Sequence, residues 1–303
     1  MSIYMNPLTD FAFKKLFGDP SNKEILIDFI NAVLRESKPK ITDLIIMNSE
    51  QLGQTEKERM AVYDLYCTNE SGDHVVVEIQ RVPQAHFIDR TVYYSSFLIQ
   101  KQGVKGSAWN YELKSIYVIS LLNFAIQAEE MNQDEYYLKA KLIDVKGQKI
   151  FYNKLTFVYL ELPKFKKQVE QLNTHFENWV WLFGYMETLN EIPEPLTEPI
   201  FMKLLDKAKL EQLKPYELSE YETTLKTLRD NHNAMQYAIE TGLKEGLKEG
   251  FEKGKAEGNV EGKVERAIET AKIAHAEGLP LPLISKLSGL SVDELNELFK
   301  EEK

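Results

Sequence analysis

Cysteine is all but absent: Cys67 is the single one in 303 residues. That excludes an intrachain disulfide and a thiolate zinc site, and it fits a reducing compartment. The five histidines are scattered, with no HExxH or comparable spacing, which argues against a histidine zinc centre. No segment reaches the about 18 consecutive apolar residues that span a bilayer. The opening MSIYMNPLTDFAF also lacks the basic stretch and apolar run of a secretory signal. The expectation is a soluble, cytoplasmic protein with no membrane attachment. Positive charge is not in excess either, and a formal net charge of -10 argues against coating nucleic acid through bulk charge.

What is present is a globular sequence long enough for one substantial core and a smaller accessory region. Asp10–Leu34 carries apolar residues at helical spacing on both sides of Gly18-Asp19-Pro20, predicting two short helices, the second capped by Ser21 or Asn22. Ile41–Met47 reads as a strand and the polar run Asn48–Arg59 as a loop. Ala61–Cys67 (AVYDLYC) and His74–Gln80 (HVVVEIQ) flank Thr68–Asp73, which is a hairpin pattern. A helix over Gln84–Gln102 and strands at Ser115–Asn123 and Thr156–Leu162 follow. Past Pro163 the reading is helical through Phe176–Glu191, breaks at Pro193–Pro199, and is helical again to about Thr241.

The hairpin carries the chemistry. With its turn centred on Ser71, antiparallel pairing sets Asp64 opposite Glu78, since each lies seven residues from that centre. A period of two puts Glu78 and Gln80 on one face and Val75, Val77 and Ile79 on the other. Two adjacent carboxylates repel unless a cation or a shared proton intervenes, and oxygen-rich sites of this kind suit magnesium or manganese. Calcium is a further hard-cation candidate, and the Ile79 backbone carbonyl is a candidate third ligand. Such a metal would acidify a water and stabilise charge on a scissile phosphate. Gln80 can hydrogen-bond that water but brings no positive charge. Spacing alone favours polar residues on a solvated strand face.

Four blocks in order separate these readings: TDFAFKKLFGDPSNKEILIDFINAVL, YDLYC, VVVEIQ and DRTVYYSSFL. Together they resemble the PD-(D/E)XK nuclease family transposases, also called recombination-promoting nucleases. The resemblance is close over roughly residues 5–125 and extends, less specifically, to about 240. It implies an α/β fold with a restriction-endonuclease-like core, in which a helix precedes a mixed central sheet with flanking helices. It also implies bacterial origin and divalent-metal-dependent cleavage of double-stranded DNA, with the motif aspartate at Asp64 and the E-x-K-type motif at Glu78 and Gln80. Glutamine stands where the wider superfamily has lysine, as in this family's own version.

Further candidates surround these three. Asp10 is a possible additional acid, since similar nucleases use a first-helix carboxylate, and Thr9 or Asp10 equally suits a helix N-cap. Lys14 is a candidate phosphate contact. Arg90, Tyr93 and Tyr94 share one helix face at i, i+3 and i+4, where arginine would grip phosphate and tyrosine would stack or hydrogen-bond. Arg81 opens a basic stretch continued by Arg90, Lys101, Lys105 and Lys114, proposed to hold phosphates. Trp179 and Trp181 read as core residues.

The expected organisation is a nuclease core over residues 1–165, a helical extension over 166–240 and a distinct C-terminal region over 241–303. In the last, Gly242, Gly246, Gly250, Gly254, Gly258 and Gly262 recur every fourth residue. Each glycine weakens a helix by up to about 1 kcal/mol, so the row needs a reason. One is close packing in a homo-oligomer through the C-terminal helices; another is a solvated spacer. A final helical pair follows, its second member started by Ser291 with Glu294 completing a capping box. Two functions follow: a metal-dependent endonuclease linked to recombination or mobile elements, or a catalytically weak nuclease-derived DNA-binding and assembly protein.

Overall fold

In a computed structural model, which describes residues 2–35, 40–48, 50–51, 61–103, 109–126 and 134–300, the Thr9 hydroxyl accepts the Ala12 N–H and starts helix α1 (Asp10–Phe17). Gly18 and Pro20 end it, and α2 (Lys23–Val33) follows. Neither Ser21 nor Asn22 caps α2 through its side chain. The Asn22 amide instead donates to the Lys15 carbonyl, while Asp19 accepts the Ser21 N–H. The tight turn therefore uses these side chains to tie itself to α1.

The strand expected over residues 41–47 shortens to β1 (Leu44–Ile46). Within the predicted loop, β2 (Glu50–Gln51) pairs with β3 (Ala61–Val62), and residues 49 and 52–60 lie outside the described residues. Ala61–Cys67 is thus not one strand. The chain bends at Asp64, and β4 (Leu65–Asn69) pairs antiparallel with β5 (His74–Gln80). The cause is local: the Asp64 carboxylate takes the Ile79 N–H at 2.6 Å, replacing a backbone ladder bond.

Helix α3 (Phe87–Lys101) crosses from β5 to the parallel strand β6 (Ile116–Leu122). An unpredicted edge strand, β7 (Tyr137–Asp144), then forms a hairpin with β8 (Lys149–Glu161), itself parallel to β6. Lysines alternate with half-exposed apolar residues in β7, which dilutes its pattern while protecting a sheet edge. The sheet order is β1-β4-β5-β6-β8-β7, a mixed sheet at the centre of an α/β fold.

Strand alternation sorts the core into two layers. Val75, Val77, Ile119 and Val158 point to one face, where α1, α2, α4 (His175–Tyr185) and α5 (Pro199–Ala208) cover them. Val76, Val118 and Phe157 point to the other, against Phe87 and Leu98 of α3. Trp179 and Trp181 are core residues, as expected. The helix expected to reach Glu191 ends at Tyr185, where a short 3-10 turn, Met186–Thr188, begins.

His175 links three of these helices. Its Nε2 lies 2.5 Å from Asp28 Oδ1 and its Nδ1 2.9 Å from Glu198 Oε2. The Asp28 hydrogen bond holds the imidazole pKa above its usual 6.5. A raised folded-state pKa contributes stability that is complete below the unfolded value and lost as pH rises through the folded one. His175→Gln should therefore destabilise the protein by about 1 kcal/mol at pH 6, a figure discounted for partial exposure. Denaturant unfolding should show a smaller deficit at pH 9.

The chain divides into two units, Met1–Thr227 and Leu228–Lys303. A continuous helix, α6 (Pro215–Ala276), spans the boundary. In the second unit its final turns bury Ala271 and Ala274 with Ile284 of α7 (Leu281–Ser288) and Leu295 of α8 (Val292–Leu298). Ser291 and Glu294 form the expected reciprocal capping box. No described helix is long and apolar enough to cross a membrane.

Candidate active site

The site lies at the C-terminal end of β5. The register that pairs Leu65 with Val77 brings Asp64 alongside Glu78, as the hairpin geometry predicts. The two acids are coupled: Asp64 Oδ2 accepts the N–H of Ile79, the residue after Glu78, and the Asp64 charge acts on the Glu78 carboxylate. Glu78 and Gln80 fall on the α3 face, away from Val75 and Val77.

Glu78 is only 5% exposed, because a central strand is covered on both faces. Burial, reinforced by the Asp64 charge, pushes its pKa up to about 8. Burial also raises that of Asp64; the Ile79 N–H opposes this rise, and the Asp10 charge adds to it. Glu78 Oε1 is buried without a hydrogen-bond partner. Ser120, its neighbour in β6, is fully buried and its Oγ is likewise unpartnered. An orphaned carboxylate oxygen beside a second acid is the arrangement a hard cation relieves, since it would satisfy the lone pairs and favour both charged forms.

Among the described residues, no three His, Cys, Asp or Glu side chains gather in a way that could hold a metal. Two carboxylates and a backbone carbonyl still suit magnesium, which keeps several waters and typically uses one or two protein carboxylates. The donor set therefore fits a hydrated divalent ion. Asp10 does not complete it by contact. Its carboxylate lies 2.9 Å from Lys14 Nζ on the exposed side of α1, and both charges act on Asp64 from there.

Arg90 of α3 reaches the same place. Its Nη2 donates to Gln80 Oε1 at 2.9 Å and lies 3.9 Å from Glu78 Oε2, and Nη1 donates to Gln84. The Gln80 amide nitrogen donates to the Val82 carbonyl at 3.0 Å. Tyr94 flanks Arg90 and packs edge-on against Tyr63, whereas Tyr93 is half exposed and packs on Phe97.

The remaining basic residues do not gather here. Arg81 follows Gln80 onto the opposite face, where burial lowers the pKa of its half-buried guanidinium and the Glu187 charge opposes that fall. Lys101 Nζ stacks 4.9 Å over the Tyr66 ring. Lys114 precedes β6 and so stands at the far end of the sheet, and Lys105 lies outside the described residues. A linear basic stretch was dispersed because strand and helix periodicities send adjacent residues to different faces.

Two neighbours escaped the sequence reading. Gln84 sits in the loop after β5 that, with Phe124–Ile126, lines a cavity of about 580 Å³. Its cue was the polar connection following the acidic strand. The cue for Ser120 was a lone polar residue in the apolar run SIYVISLLN.

Comparison with curated proteins gives no match, and comparison with solved structures gives none. Comparison with protein families matches residues 7–238 to the PD-(D/E)XK nuclease family transposase, spanning the sheet, the acid pair and the helices packed on them. The chain belongs to the PD-(D/E)XK nuclease family transposases, a family of nucleases linked to transposition.

Proposed function

We propose that this protein is a divalent-metal-dependent endonuclease that hydrolyses double-stranded DNA in recombination or mobile-element transposition, acting in the cytoplasm. The observation that carries the proposal is the Asp64–Glu78 pair, with its buried, unpartnered Glu78 oxygen, at the end of a central strand. Asp64, Glu78 and the Ile79 carbonyl would hold magnesium or manganese. When bound, the ion supplies Lewis acidity to a water and to the phosphate. In the reaction, water oxygen forms a bond to phosphorus, one ester P–O bond breaks, and the leaving oxygen takes up a proton. No covalent enzyme intermediate is needed.

Glu78 is suited to holding a proton in the metal-free protein and to releasing it when a cation arrives. The walls formed by Tyr63 and α3 exclude bulk water from its carboxylate. Supercoiled plasmid incubated with the purified protein should be nicked or linearised with magnesium or manganese and remain intact in chelator. Stable DNA binding without nicking under any of these ions would instead establish the assembly protein.

Self-association belongs to the same proposal. The six-glycine row lies in α6, flanked by exposed Leu243, Leu247 and Phe251, and among the described residues nothing lies within 4 Å of where a Cβ would stand on Gly242, Gly246, Gly250, Gly254 or Gly258. A second copy would cover these apolar residues. Sedimentation equilibrium should give at least twice the 35.1 kDa chain mass, and Leu247→Lys with Phe251→Lys should return it to one.

A further inference from the structure

Two carboxylates and an amide bring no positive charge to a reaction that builds negative charge on a phosphate. Gln80 adds an amide that is already bonded within the protein. Its Oε1 accepts from Arg90 and its Nε2 donates to the Val82 carbonyl, so both ends are engaged within the protein. What the amide does is aim a guanidinium. Arg90 is fixed by Gln80 on one nitrogen and Gln84 on another, with the Phe87 ring 5.2 Å and the Tyr94 ring 5.6 Å from its Cζ.

We propose that Arg90 supplies the protein's own positive charge at this site, beside that of the bound ion, contacting a non-bridging oxygen of the scissile phosphodiester, and that Gln80 is the positioning residue that holds it there. This rests on the nuclease reading above. The guanidinium has five N–H donors, of which the two glutamines account for two, leaving donors in the planar fork that matches phosphate oxygens. Its Nη2 lies 3.9 Å from Glu78 Oε2, so the charge stands beside the acids that would activate the attacking water. A cation sent from α3 thereby complements a strand that carries none. Such preorganised charge acts most strongly where it meets the charge developing in the transition state.

The test compares Arg90→Gln, Arg90→Lys and the double variant Arg90→Gln/Gln80→Lys in magnesium-dependent plasmid cleavage, with thermal melts confirming folding. Arg90→Gln should lower kcat by roughly a hundredfold or more with a much smaller change in KM. Arg90→Lys should fall between wild type and Arg90→Gln, because it keeps the charge and loses the planar fork. Lysine at position 80 should recover at least about tenfold of the Arg90→Gln deficit, because it returns a cation to the same place. A purely structural Arg90 would not be rescued from a neighbouring strand.

Binding of a short DNA duplex in chelator, titrated with salt, gives a readout independent of turnover. Arg90→Gln should make the slope of log affinity against log salt shallower by about one. If Arg90→Gln cleaves within threefold of wild type while Asp64→Asn is inactive, the Arg90 assignment is overturned and the nuclease reading stands. If wild type cleaves nothing, the nuclease reading fails, and an unchanged salt slope then overturns the phosphate contact as well. A slope shallower by one supports the contact even in that case.

Discussion

Asp64→Asn and Glu78→Gln are each expected to reduce plasmid cleavage by at least about a thousandfold, equivalent to roughly 4 kcal/mol of transition-state stabilisation, while leaving the protein folded. Both substitutions keep side-chain volume and remove a charge that the metal requires. In the metal-free protein the acids oppose each other, so loss of one charge should not weaken the fold. For Glu78 the sign is definite. Its folded-state pKa is raised from 4.5 to about 8, so ionisation increasingly opposes folding as pH climbs through that interval, and nothing is lost below it.

Glu78→Gln should therefore melt higher than wild type at pH 8.5 in chelator and close to it at pH 4.5. Magnesium should raise the melting temperature of wild type and not of the variant. An active Glu78→Gln protein would remove the site from consideration. An inactive one that also melts early at every pH would show that Glu78 serves the fold rather than the chemistry.

Trp179→Ala is expected to cost about 3–5 kcal/mol, a large part of the 5–15 kcal/mol available to an ordinary domain. Trp179 is fully buried between α2 and α5, with the rings of Phe29 and Phe201 at 5.4 and 5.2 Å and those of Phe17 and Phe183 at 6.1 Å. Truncation opens a cavity in this aromatic cluster. It also removes the indole N–H that donates to Asp28 at 2.7 Å, leaving that carboxylate with His175 alone of these two donors. Trp179→Phe separates the contributions: it keeps most of the ring and should cost about 2 kcal/mol, chiefly from the lost bond to a charged acceptor. Urea unfolding midpoints for the two variants should fall in that order, and equal midpoints would place the stabilisation in the hydrogen bond instead.

Local pattern determined a good deal of this protein by itself. Period-two alternation placed Glu78 and Gln80 together, and symmetry about Ser71 set Asp64 beside Glu78, because an antiparallel register follows directly from turn position. Helical spacing marked α1, α2 and α3, and the Ser291 capping box marked the start of α8, since each of these is satisfied within a few residues. The four sequence blocks carried the family, and the match over residues 7–238 agrees with them.

What local pattern could not determine is anything that depends on which faces meet. Arg81 and Arg90 belong to one basic stretch in the sequence, yet the sheet sends Arg81 toward Glu187 and Tyr221, while α3 returns Arg90 to Glu78 and Gln80. Asp64 and Glu78 were visible as a pair. The burial that raises both pKa values, the orphaned oxygen of Glu78, and the engagement of Gln80 by Arg90 required the helix laid across the strand. Adjacency along the chain reports periodicity; desolvation and electrostatic coupling depend on distance in three dimensions, and only the tertiary structure sets those.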